Sequence, residues 1–183
     1  LWKPAACSKS GKYVFVSDDT GEVTYYSHDF GQTWRVAETG GMWKGGACSA
    51  DGQKQVALAE NAVHLSTDAG ESWREIYNIM TEPLRFVSVS ADAGKMLVVS
   101  DHGNVHVSRD GGDSWTIPDL PVSVWISSAC SDDGQVMMTC QMPGVVFLSF
   151  DGGVTWNETD PPGEGYSAYW SSVDCSGDGT IMA

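Results

Sequence analysis

Four aspartates recur in one local setting, and repeated carboxylates are the first groups to test for acid–base or nucleophilic chemistry. Asp29, Asp68, Asp110 and Asp151 each lie two residues after a serine (Ser27, Ser66, Ser108, Ser149) and two before a glycine (Gly31, Gly70, Gly112, Gly153). Each copy ends on Trp34, Trp73, Trp115 or Trp156, with Ser or Thr just before the ring, and the Trp-to-Trp steps are 39, 42 and 41 residues. Copies spaced in this way belong to separate structural units and cannot converge on one substrate as catalytic carboxylates must. Turn closure is the chemistry they suit. The Asp accepts bonds from backbone N–H groups a residue or two ahead, the Gly tolerates positive φ, and the Trp buries a large ring against neighbouring strands.

Other reactive side chains are scattered. His64 and His106 fall in one repeat column with Tyr25 and Phe147, which reads as packing. Neither a Cys-x-x-Cys nor a His-x-x-x-His spacing is present, so no metal site and no cofactor are expected. Four of the five cysteines (Cys7, Cys48, Cys130, Cys175) hold the same place in different units. Such positions are expected to lie too far apart for a disulfide and to serve as small, buried, reduced thiols.

The pattern Ser-x-Asp-x-Gly-x-(Ser/Thr)-Trp resembles the Asp-box, or bacterial neuraminidase repeat, family, and all four copies match it in full. The resemblance implies a β-propeller, as in sialidases, other glycoside hydrolases, sortilin-type receptors and photosystem II assembly factors, and it leans toward a secreted or cell-surface location. It fixes architecture better than activity. Sialidase activity would imply three converging arginines beside an acid and a tyrosine nucleophile. Only Arg35, Arg74, Arg85 and Arg109 exist; two follow box tryptophans, one lies inside a box, and the family's Arg-Ile-Pro segment is absent. No catalytic residue carries over.

The elements that position these residues follow from a second signature in phase with the first. Ala6-Cys7-Ser8, Ala47-Cys48-Ser49, Ser90-Ala91-Asp92, Ala129-Cys130-Ser131 and Asp174-Cys175-Ser176 each lead into a Gly-bearing turn. The second unit reads as strands over 42–49, 54–59, 62–66 and 72–76, separated by Asp51-Gly52, Glu60-Asn61 and the box. The expected fold is an all-β propeller of four-stranded antiparallel blades of about 41 residues. One domain, 1–183, divides into repeats at 1–41, 42–83, 84–123 and 124–168, with a partial fifth at 169–183. The chain begins at Leu1 and stops within the second strand of that fifth repeat, the expectation for an excerpt whose open edges invite self-association.

Composition sets the partner classes. Hydrophobic residues are 42% of the chain, with 21 Gly and 8 Trp, as in a turn-rich β protein. A formal charge of −14 disfavours nucleic acid and anionic lipid, and no apolar run approaches the ~20 residues of a membrane span. Antiparallel strands place the boxes at one end of every blade and the blade-to-blade connections at the other. That second face should carry Trp2, Trp43, Trp125 and Trp170, with Tyr166 and Tyr169 on the long fourth connection. These rings either wedge between blades or contact a ligand. The function expected is a non-enzymatic binding or scaffold propeller for a glycan or protein partner. The alternative is part of a sialidase-like or glucanase-like glycoside hydrolase with catalytic residues partly outside this chain.

Overall fold

The computed structural model describes residues 2–18, 23–37, 43–159 and 169–183. Every regular element among them is a β-strand. Blade 1 is β1 (Trp2–Cys7), β2 (Val14–Asp18), β3 (Thr24–Ser27) and β4 (Arg35–Val36). Blade 2 is β5 (Gly45–Cys48), β6 (Gln55–Leu58), β7 (Ala62–Ser66) and β8 (Arg74–Asn78). Blade 3 is β9 (Leu84–Val89), β10 (Met96–Ser100) and β11 (Val105–Ser108). Blade 4 is β12 (Trp125–Cys130), β13 (Met137–Gln141), β14 (Val146–Ser149) and β15 (Asn157–Thr159). Each sheet is an antiparallel meander in chain order, from an inner strand outward.

Blade 3 departs from the four-stranded pattern. Its outer position is reduced to Thr116, which exchanges two 2.9 Å backbone bonds with Val107. Pro118, two residues on, has no N–H with which to extend the ladder.

Central strands of blades 2 to 4 are buried on both faces because each of these blades has a neighbour on both sides. Every residue of β6, β10 and β11 is buried. The core is accordingly divided among the interfaces: Phe15, Trp43 and Trp73 between blades 1 and 2, Leu58, Leu65 and Met96 between 2 and 3, and Leu97, Val107, Trp125 and Phe147 between 3 and 4. Residues 169–183 continue the order, with Val173, Trp170 and Cys175 packed on blade 4.

At the axis, one backbone bond joins each inner turn to the next. Lys9 N donates to Ala50 O (3.0 Å), Ala50 N to Ala91 O (2.7 Å), Ala91 N to Asp132 O (2.8 Å) and Asp132 N to Gly177 O (2.7 Å). Lys54 Nζ and Lys95 Nζ add 3.1 Å bonds to the carbonyls of Asp92 and Asp133 in the following blade. Lys9 reaches further, its Nζ lying 3.0 Å from Asp132 Oδ2.

The box glycines of blades 2 to 4 combine a left-handed backbone with contact to the preceding blade. Gly112 has φ +96°, and a Cβ there would lie 2.4 Å from Ile76 Cδ1. Gly111, beside it, also has positive φ, but its Cβ would meet nothing nearer than Ala93 O at 3.9 Å. Blades 1 and 2 already carry Phe30 and Ala69 at that position, at φ 63° and 59°. Gly112→Ala should therefore cost about 2 kcal/mol or more, and Gly111→Ala about 1 kcal/mol, in urea unfolding. Equal losses would remove the close inter-blade approach as the reason for Gly112.

Candidate functional site

The four boxes share one bonding scheme. The hydroxyls of Ser27, Ser66, Ser108 and Ser149 donate to Oδ1 of the box Asp over 2.8, 2.7, 2.9 and 2.8 Å. The same hydroxyls accept from the N–H of Gly31, Gly70, Gly112 and Gly153. Each Asp reaches further along the chain than its sequence suggests, to the residue four positions on. Thr33, Ser72, Ser114 and Thr155 each donate a backbone N–H to its Oδ1 and a hydroxyl to its Oδ2. A carboxylate with this many donors is held ionised. The side-chain bonds from Thr33, Ser114 and Thr155 are the largest influence on Asp29, Asp110 and Asp151, each lowered to about 2.

The inner turns repeat the device. Ser49, Ser90, Ser131 and Ser176 donate to Asp51, Asp92, Asp133 and Asp178 over 2.6–2.7 Å, and each accepts the N–H five residues on. Box and inner turn of one blade are also tied directly, as by Gly111 N to Gly94 O (2.8 Å) and Gly152 N to Gln135 O (2.9 Å). Arg109 bonds the carbonyls of Gly152 and Gly153, so it latches box 3 to box 4. These groups build the scaffold at the box end.

At the opposite end, the second connection (79–83) and the third (117–124) each lie between the turn of the blade they leave and the turn of the blade they enter. Leu84 N donates to Glu60 O (2.8 Å) and Asp101 N to Pro83 O (2.8 Å); Gly103 and Ser123 exchange 3.1 Å bonds, and Met142 N donates to Val124 O (3.0 Å). Glu82 clamps this face from below. Its carboxylate accepts from Ser100 Oγ, from the backbone and side-chain nitrogens of Asn104, and from His106 Nε2 at 3.4 Å. Tyr77 OH completes the relay 3.3 Å from His106 Nδ1, and the Tyr77 ring stacks on Trp115 at 4.6 Å. Burial pushes Glu82 up, but the bonds from Asn104, Ser100 and His106 outweigh it and hold it below the usual range. Burial holds His106 neutral by lowering it, against the opposing pull of Glu82.

The rings singled out by sequence fall into different settings. Trp43 is 4% exposed and Trp125 0%, and their indole N–H groups donate to Thr24 Oγ1 and Gly103 O, so neither presents a ring face to solvent. Trp170 is half-buried, its Nε1 2.8 Å from Gly144 O, and beside it Tyr169 is 79% exposed. The Trp2 side chain and Tyr166 lie outside the described residues. His64 packs edge-on to Trp43 with its Nδ1 unbonded. All five thiols are free, but of the four in the repeat column none is fully buried: Cys48, Cys130 and Cys175 are half-buried, and Cys7 is exposed because β1 is flanked by β5 on one side only. Burial pushes Cys48 and Cys130 up to about 12, which leaves them unreactive.

Sequence reasoning missed the aliphatic residues of this face. Met80 is 87% exposed, Val122 70% and Ile117 56%, all on blade-to-blade connections. The signal was present as apolar residues close to Pro83, Pro118 and Pro121, where a strand cannot run.

Comparison with known proteins agrees with this architecture. The BNR/Asp-box repeat family matches at residues 25–36 and 147–158, the first and fourth boxes. An ancestral GH74 enzyme superposes with a TM-score of 0.75 at 16% identity, over 99% of this chain and 27% of its own. The GH74 enzyme of Niastella koreensis gives 0.66 at 22% identity, over 84% of this chain and 23% of its own. A structure described as YCF48 bound to D1 peptide gives 0.67 at 14% identity, over 97% of this chain and 58% of its own. The chain thus spans well under two thirds of each of these relatives. No curated protein matches it by sequence.

The turn carboxylates predict an acid response of known sign. Their folded values lie below the unfolded one near 3.8, so their stabilisation is complete above about pH 4 and is lost as pH falls toward about 2. Glu82 acts in the same direction. For His106, also lowered, the loss begins as pH falls below the ordinary histidine value of 6.5. Asp110→Asn should lower the melting temperature at neutral pH and narrow the further drop between pH 4 and 2. A variant that melts as wild type at neutral pH would show that the box carboxylate does not close the turn.

Proposed function

We propose that this chain, an Asp-box repeat protein of β-propeller architecture, is a binding or scaffold module that takes a protein partner on the face opposite its boxes. One observation carries the reading. The three most exposed large apolar side chains among the described residues are Met80 (87%), Tyr169 (79%) and Val122 (70%), and all three stand on successive connections of that one face. Isolated exposed apolar residues need no explanation, but their recurrence on the same connection of blade after blade follows the design of an interaction surface. The second and third connections are held by backbone bonds at both sides, so little ordering there would accompany binding. The structure described as YCF48 bound to D1 peptide supports the reading by showing the same fold type with a polypeptide ligand. Tyr169 and Trp170 belong to this proposed site, as does Tyr166 by its place on the same connection.

A second reading, part of a glycoside hydrolase, draws on the GH74 neighbours. The box carboxylates are committed to turns, so it would need other acids, some of them outside this chain.

Quantitative pull-down from the source organism's extract separates these. Partners held by the wild type should be lost from a Met80→Ser, Val122→Ser, Tyr169→Ala variant and kept by a Phe30→Ser, Val154→Ser variant altered on the box face. Loss from both or from neither would sink the assignment of the face. Turnover of xyloglucan or another β-glucan by the full-length product, abolished by one Asp or Glu substitution, would favour the hydrolase.

A further inference from the structure

We infer that the polypeptide taken by this face is basic as well as apolar, and that Asp119 is its ionic anchor; this rests on the binding reading above. The third connection is the best-defined platform on the face. Both ends are pinned, Thr116 to Val107 by two 2.9 Å bonds and Ser123 to Gly103 by two 3.1 Å bonds. Between them Leu120 packs down against the cluster of blades 3 and 4, and its N–H bonds Pro118 O at 2.8 Å. With Pro118 and Pro121 fixing φ on either side, the segment holds Ile117, Asp119 and Val122 outward. The second connection repeats the plan in smaller form, with Ile79 packed inward and Met80 turned out.

The anchors decide the class of ligand. On the second and third connections the anchors are Met80, Ile117 and Val122, aliphatic side chains that offer no flat ring for a sugar to stack on and match the side chains of another polypeptide. The charges decide its sign. Lys44 and Arg85, the described cations of this face, are already paired with Glu60 at 3.5 Å and Asp101 at 2.5 Å. No described ion pair involves Asp119, which stands exposed between two apolar anchors on a chain of net charge −14. An incoming Lys or Arg flanked by apolar residues would satisfy all three side chains, while an acidic segment would meet repulsion.

The test uses three fluorescein-labelled ten-residue probes, of alternating Lys and Leu, Lys and Ser, and Glu and Leu, with binding read by anisotropy at low and high salt. The Lys–Leu probe should bind best. Asp119→Asn should weaken it by about threefold or more at low salt, and Val122→Ser and Met80→Ser should weaken it at either salt. Asp113→Asn removes the same charge from the box end and should change affinity much less. If Asp113→Asn weakens binding as much as Asp119→Asn, or the Lys–Ser probe binds as tightly, the attraction is diffuse and the inference is overturned. If the Glu–Leu probe binds equally well and is lost with Val122→Ser, the face stands and the basic partner is wrong. If Val122→Ser and Met80→Ser leave the Lys–Leu probe unaffected, the reading of the face itself fails.

Discussion

The chain of backbone bonds at the axis is the constraint on which the rest of the structure depends. A single blade cannot bury both of its faces, so its strands are stable only while neighbours stay in register. From Lys9 through Ala50, Ala91 and Asp132 to Gly177, one N–H and one C=O per blade meet where the blades are closest. Small residues at Ala50, Ala91 and Gly177 permit that approach. The residues of these bonds are exposed or half-buried, and the bonds act by aligning the inner turns of successive blades. The interfaces then follow: each box Trp in blades 2 to 4 packs toward the blade before it, Trp73 on Phe15 and Trp115 on Tyr77.

Two kinds of turn hold the end of the blades where this chain forms, and both use a serine hydroxyl donating to an aspartate two residues on. The charged acceptor makes these short, strong bonds, and the serine in turn accepts a backbone N–H that the tight corner leaves without a strand partner. Carboxylates used in this way spend most of their accepting capacity on the turn itself. At the other end the second and third connections are held by a few backbone bonds and by the Glu82 network, which leaves their outward side chains free to differ. Aliphatic residues on rigid connections suit recognition better than chemistry.

Much of the fold could be read from residue spacing, since turn chemistry and blade period are local properties. The strands read over 54–59 and 62–66 correspond to β6 (Gln55–Leu58) and β7 (Ala62–Ser66). The shortened outer edge of blade 3 depends on Pro118, a single residue that breaks the ladder without altering the repeat spacing. The face was legible only in part. Trp43 and Trp125 were candidates by type, but whether a ring at an inner-strand start is covered depends on the neighbouring blade, which no local pattern encodes. Glu82 was invisible for a similar reason: its partners Ser100, Asn104 and His106 lie 18 to 24 residues away and meet it only once β10 and β11 have formed.

Native-state hydrogen exchange tests the central claim that the axial bonds make the blades one cooperative body. The amides of Lys9, Ala50, Ala91 and Asp132 should exchange together, at the slow limit set by global unfolding and with one shared denaturant dependence. Exchange of these four amides blade by blade, at free energies well below those of β6, β10 and β13, would contradict the account and leave the blades as separate units held by side-chain packing alone.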